Sequence, residues 1–231
     1  MNITKLLKTC LASLIISIVL TSCSDEAPYL EFTDKTSIDY SGAAVPIAYF
    51  KGVKKTKLLL KLTNDPSIDR ILIEWLENGA DKDIEIAVKP EDIGEIKEVL
   101  IEDIAQGSYN FIITTYDDAE KIHSVSKEIL IEVLGDDFPS LLSPLFGTGE
   151  IKGGTLEIAW PFVDAEASTI QGKRVIYTNI NDEETVLDIP LNELLTQITD
   201  YKVGSAIKFQ TRYFERDWIE PLYTNKIDLP L

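Results

Sequence analysis

One histidine, two cysteines and 39 carboxylates are what this 231-residue chain offers to nucleophilic, acid–base or metal chemistry. His123 stands alone, so the mixed His/Cys/carboxylate set that holds zinc lacks its usual members. A Ser-His-Asp triad would have to be built on His123, and no nucleophile-elbow pattern occurs anywhere in the chain. Neither GxxxxGK[ST] nor GxGxxG is present; Gly147-Thr148-Gly149 and Gly153-Gly154 read as turn residues. A glycosidase needs two carboxylates at a set separation. With 39 acidic residues such pairs arise by chance, and nothing singles one out. Asp81, Asp83 and Glu85 are spaced like a calcium loop without the central glycine of the EF-hand. Asp136 and Asp137 read as solvated turn carboxylates, with a calcium-stiffened junction as the alternative. The expectation is a non-enzyme with no catalytic residue, metal or cofactor.

Aromatic residues are the other candidates. Trp75 and Trp160 end apolar-faced stretches and belong in a core. Trp218 lies between Asp217 and Ile219 in a polar, proline-bounded loop, with Tyr213 and Tyr223 near in sequence. Two readings stand for it. It covers the open end of the core of the second half, or it is exposed and, with the two tyrosines, offers flat faces to a glycan.

The remaining chemistry sits at the start. Lys5 and Lys8 precede the apolar run Leu11–Leu20, then Thr21, Ser22 and Cys23. A basic segment, a short apolar segment and small residues before a cut site mark a secretory signal. The run is shorter than the roughly 20 residues a membrane-spanning helix needs. Leu20-Thr21-Ser22-Cys23 resembles the lipobox of bacterial lipoproteins, in which the cysteine sulfur takes a diacylglyceryl group. The resemblance implies cleavage between Ser22 and Cys23 and acylation of the new amino terminus. Two or three chains, at about 0.8 kcal/mol per buried CH₂, would hold the protein on a membrane where one would not. Ser24-Asp25-Glu26 resembles the surface-export signal of Bacteroidetes lipoproteins, which implies an outer-membrane protein facing the cell exterior; the alternative is a solvated linker.

Cleavage would remove two lysines from 22 basic residues and no acid, leaving 20 against 39, a formal charge of −19. Such a charge repels nucleic acid and anionic lipid. Cys10 would leave with the signal and Cys23 would be lipidated, so no disulfide could form, and stability must come from the core. Partners are then the membrane, through the lipid, and a glycan or protein ligand. With 45% apolar residues, eight Phe and nine Tyr, the body is globular.

What positions these residues is a series of strands. Leu58, Leu60 and Leu62 share one face; so do Ile71, Ile73 and Trp75, then Ile84, Ile86 and Val88, then Val99 and Ile101. Tyr109, Phe111 and Ile113 follow, and then Ile129, Ile131 and Val133. This period of two, punctuated by Asn64-Asp65-Pro66, Asn78-Gly79, Pro90, Gln106-Gly107 and Asp117-Asp118, predicts an antiparallel sandwich. Trp75 ending one strand and Ile104–Tyr109 opening a later one resemble the landmarks of a fibronectin type III domain over Val45–Gly135. After Gly135-Asp136-Asp137-Phe138-Pro139 the alternation resumes in Leu156, Ile158 and Trp160, in Val175 and Tyr177, and in Ile207, Phe209, Thr211 and Tyr213. RILIEW against KRVIYT, and Gly107-Ser108 against Gly204-Ser205, point to a second, divergent copy, or to fragments any two β domains share. Leu191, Leu194, Leu195 and Ile198 have helical spacing and predict a short helix or turn.

The fold expected is therefore all-β, two tandem antiparallel β-sandwiches of the fibronectin type III or immunoglobulin kind. The segments are a signal peptide over 1–22, a lipidated tether over 23–42, and sandwiches over 43–135 and 136–231. Three stretches, Trp75–Ile86, Gly107–Ser126 and Thr199–Asn225, resemble a family of two-part Bacteroidetes lipoproteins known as a domain of unknown function. That resemblance implies a fold and a location, and no activity. One departure is Trp218 within Arg216–Glu220, where a smaller residue is expected.

Overall fold

The computed structural model describes residues 40–117 and 122–231. Ser22, Cys23 and the signal and tether segments before residue 40 lie outside the described residues. Among the described residues no helix is long and apolar enough to cross a membrane.

Residues 44–133 form two facing sheets. β1 (Ala44–Gly52), β2 (Lys55–Leu62) and β5 (Ile96–Glu102) make one, in the order β1-β2-β5. The other has the order β4-β3-β6-β7, from β3 (Ile68–Glu77), β4 (Ala80–Ala87), β6 (Gly107–Asp117) and β7 (Lys127–Val133). All pairings are antiparallel. The alternation read from the sequence decides which side of each strand is inside: Leu58, Leu60, Ile71, Ile73, Phe111 and Ile131 are fully buried between the sheets. The two-residue turn Asn78-Gly79 closes β3 onto β4 with φ of 52° and 80°, the left-handed pair a right-twisted hairpin requires.

Both expected landmarks are in place. The Trp75 ring stacks on Phe111 with centroids 5.2 Å apart. The Tyr109 hydroxyl donates to the Ala105 carbonyl at 2.8 Å, pinning the turn that feeds β6. Burial, and then the charge of Glu77, push the Tyr109 hydroxyl pKa up, so it stays a donor. Tyr109→Phe is expected to lower unfolding free energy by about 1 kcal/mol, the net worth of one such bond. Urea denaturation measures this, and an unchanged midpoint would assign the corner to ring packing alone.

The second half repeats the strand order. β8 (Thr148–Lys152), β9 (Thr155–Ala159) and β12 (Leu195–Ile198) form a sheet ordered β12-β9-β8. It faces a sheet ordered β11-β10-β13-β14, from β10 (Ile170–Thr178), β11 (Glu184–Pro190), β13 (Ile207–Tyr213) and β14 (Leu222–Tyr223), with β15 (Ile227–Asp228) also paired to β13. Each strand stands where its counterpart seven places earlier stands, and the last strand is broken in two. Side chains repeat as well. The Ser124 Oγ accepts from the Thr115 amide at 3.0 Å, and the Thr224 Oγ1 accepts from the Thr211 amide at 2.9 Å. The tyrosine at the turn is inverted: Tyr201 stands before the turn and its hydroxyl reaches forward to the Ser205 carbonyl at 2.5 Å.

One local expectation needs correction and another resolves. Gly153-Gly154 is a turn, but Gly147 and Gly149 are packing sites at β8. A Cβ on Gly147 would meet the Trp160 ring, and one on Gly149 the Leu231 side chain, each at 2.7 Å. Of the helix or turn expected over Leu191–Ile198, the turn is what forms, and it leads into β12. The Leu191 and Glu193 carbonyls are taken by the Lys173 ammonium instead of by amides one helical turn on.

Candidate functional site

The sequence nominated Trp218, Tyr213 and Tyr223, and the structure does not join them into one open platform. Trp218 is only 4% exposed. It lies in a third apolar cluster with Leu134 and Leu222, against Val53, Phe138, Leu142 and Phe214, between the two sandwiches. Its ring meets Phe138, from the short helix α1 (Phe138–Leu141), edge-on at 5.6 Å. Exposure of Trp218 is thus corrected, and it offers no face to a sugar. Nor does it close the second core; the surface it covers belongs to both halves. Tyr213 adjoins this seam and donates to the Ser143 carbonyl at 2.5 Å. Tyr223 lies elsewhere, under the Arg174 guanidinium at 4.1 Å from the ring centroid. Arg174 also donates to the Tyr223 hydroxyl at 3.0 Å and grips Asp188 at 2.7 and 2.9 Å.

The reason is local. The loop from Phe214 to Pro221 folds back on the first sandwich and extends its edge. Lys51 donates its amide to the Asp217 carbonyl at 2.7 Å, and Ile219 donates to the Lys51 carbonyl at 2.9 Å. A second pair, Lys54 to Leu134 at 2.8 Å and Leu134 to Gly52 at 3.1 Å, ties in the linker. Ion pairs rim the contact: Lys51 with Glu132 and Asp217, both at 3.2 Å, and Lys55 with Glu220 at 2.7 Å. Asp136 pairs with Lys54, so this junction carboxylate serves an ion pair. Leu134, Phe138 and Leu142, spaced by four, were the sequence signal for a seam: apolar residues that neither set of strands uses.

The polar candidates separate in the same way. His123 lies beside the Tyr116 ring at 5.8 Å, its Nδ1 3.0 Å from the Ser124 carbonyl. Asp81, Asp83 and Glu85 lie along β4 on the outside of the sheet, and Glu85 accepts from Arg70 at 2.9 Å. No three His, Cys, Asp or Glu residues converge on a cation position among the described residues.

Sequence reasoning missed Lys173. On β10 it shares the inward side with Val175 and Tyr177 and is 1% exposed. Its Nζ donates to Leu191 at 3.1 Å and Glu193 at 2.7 Å, above the Trp160 ring. The Trp160 Nε1 donates to Thr196 Oγ1 at 3.1 Å, which donates to Glu193 Oε1 at 2.6 Å. Burial pushes the Lys173 pKa down, opposed by the Glu193 charge.

Residues 23–220 match the profile of the DUF4998 family, described as a domain of unknown function. No curated protein matches the sequence. Among solved structures, the chain is similar to the FN1–FN3 domains of chicken CNTN1, at 13% identity and a TM-score of 0.38, covering 83% of this chain and 65% of that one. It is also similar to a two-domain fibronectin type III segment of chicken tenascin, at 14% identity and a TM-score of 0.31, covering 81% of this chain and 99% of that one. The chain thus spans under two thirds of the length of the CNTN1 segment.

Proposed function

We propose that this chain, which belongs to the DUF4998 family, is a non-catalytic lipoprotein anchored through Cys23 in a bacterial outer membrane. It faces the cell exterior and serves as a binding or adhesion module. The observation that carries the reading is which end of the first sandwich the chain enters. Gly42 donates to the Asp65 carboxylate at 2.6 Å and Thr63 donates to the Ala43 carbonyl at 3.1 Å, so the chain enters beside the β2–β3 turn. The seam with the second sandwich lies at the other end of β1, at Lys51–Lys54. Nine strand residues separate the two ends, about 30 Å at 3.3 Å per residue. A lipid tether on the entering segment would therefore stand the second sandwich away from the membrane, as a display module requires.

The sequence around Cys23 supports the same reading, since Leu20-Thr21-Ser22 precede it and the family match begins at residue 23. Two sandwiches with short turns and broad sheet faces suit recognition by surface contact. The test is metabolic labelling of cells with an alkyne fatty acid, followed by protease treatment of the intact cells. The wild-type chain is expected to take the label and to be digested from outside. Cys23→Ala should lose the label entirely and leave the membrane fraction. An unlabelled wild-type chain, or mass spectrometry showing an intact leader, would overturn the anchor. A labelled chain that resists external protease would overturn the surface orientation alone.

A further inference from the structure

The first sandwich has two unlike outer faces. Strand pairing puts Phe50, Lys57 and Leu100 in one row outside the β1-β2-β5 sheet, Ala48, Leu59 and Glu98 in the next, and Val45, Lys61 and Ile96 in a third. Ile96, Leu100 and Val45 are 51%, 49% and 38% exposed. The lysine stems lie along this apolar strip, with Lys57 over the Phe50 ring at 4.8 Å. Lys57 approaches Glu98 at 3.6 Å, while Lys61 reaches only the Gly94 carbonyl.

The β4-β3-β6-β7 sheet carries the opposite charge. Asp83, Glu74, Ile112 and Glu128 form one row across it, and Asp81 lies beside Leu76 in the next. Leu76 and Leu130 are 59% and 67% exposed. On this side Glu85 pairs with Arg70 and Glu132 with Lys51, while Glu74, Asp81 and Asp83 enter none of the ion pairs among the described residues. One face is therefore apolar with Lys55, Lys57 and Lys61 against Glu98 and Glu102, the other apolar with Glu74, Asp81 and Asp83 uncompensated, and every copy of the chain bears both.

We infer that these two faces bind each other between copies: the β1-β2-β5 face of one chain docks on the β4-β3-β6-β7 face of the next. Because the patches differ, the contact is heterologous and builds an open row instead of a closed pair. Three strands at about 4.8 Å and seven residues at about 3.3 Å give roughly 300 Å² per face, well under the roughly 800 Å² per partner of a stable complex. The association is accordingly weak, concentration-dependent and weakened by salt. It needs neither the lipid nor the membrane, and so stands apart from the anchoring proposal.

The test is photo-cross-linking of the purified full chain over a concentration series, with p-benzoylphenylalanine in place of Leu59. Adducts are expected on a second copy at Leu72, Ile112 or Leu130, with yield rising with concentration and falling with salt. Lys57→Glu together with Lys61→Glu should cut the yield at least about tenfold, as like charges meet. A differently tagged copy carrying Glu74→Lys and Glu128→Lys should restore it. Circular dichroism checks that the exposed substitutions leave the fold intact. Adducts on the β2 face of the second copy, or no adduct at any concentration, would overturn the proposal. So would a charge pair that fails to rescue.

Discussion

Trp218→Ala is expected to split one unfolding transition into two. Truncating a buried tryptophan costs about 3–5 kcal/mol, and here the cavity opens in the seam and in neither core. The seam holds Trp218, Leu134 and Leu222 as its buried residues, and Phe138 would lose its ring partner. What remains is a few backbone bonds and the ion pairs of Lys51, Lys54 and Lys55. Exposed pairs of that kind are screened by solvent, contribute little and cannot couple two sandwiches alone. The molecule supplies its own reporters, because Trp75 lies in the first core and Trp160 in the second. Urea denaturation followed at each tryptophan, with the other replaced by phenylalanine, should give coincident curves for the intact seam and separated curves for Trp218→Ala. Coincident curves in the variant, or a loss below about 1 kcal/mol, would show that Trp218 does not couple the halves.

What the sequence revealed and what it hid divide along a physical line. Strands declare themselves locally, since period-two burial and a turn such as Asn78-Gly79 lie within a window of ten residues. Trp75 and Tyr109 were readable for the same reason: each is fixed by its own strand or turn. The seam was not. Trp218 looks like a loop residue among Arg216, Asp217 and Glu220, and its neighbours Val53, Leu134 and Phe138 are 80 or more residues earlier in the chain. The spacing of Leu134, Phe138 and Leu142 marks one side of the seam but does not name Trp218 as its partner, and so a binding role stood beside a packing one for the tryptophan. Leu191–Ile198 was ambiguous for a different reason, because apolar residues on a turn and on the strand after it fell at helical intervals by coincidence. The two faces of the first sandwich sat in plain view as the outward half of each alternation, yet their opposed charge emerged only once strand register set Lys57 beside Leu100 and Glu74 beside Asp83.

Lys173 was within reach of the parity rule, since it alternates with Val175 and Tyr177, and its charge argued against the inside position it occupies. Lys173→Ala is expected to cost about 3–5 kcal/mol, from a cavity three methylenes and an ammonium deep plus two carbonyls left without a donor. Lys173→Met refills the volume without the donors and should cost about 1–3 kcal/mol. The sign is not trivial, because replacing a buried charge by an apolar group of equal size is often neutral or stabilising. Here the ammonium holds the Leu191–Glu193 turn, and a thioether cannot. The pH dependence separates the two contributions. Burial holds the folded pKa below the ordinary 10.5, so as pH rises toward 10.5 the folded chain sheds a proton the unfolded chain still keeps, and stability gains. Tyr177 works against this at higher pH. Burial and its bond to Asp200 push it up to about 12, so above pH 10 the unfolded tyrosine ionises first and stability falls. Tyr177 is common to both proteins, so the difference between wild type and Lys173→Met isolates the lysine. That difference should grow in favour of the wild type as pH rises toward 10.5. A Met variant as stable as the wild type across the whole range would mean that the turn is held by packing, and that the buried cation contributes nothing to the fold.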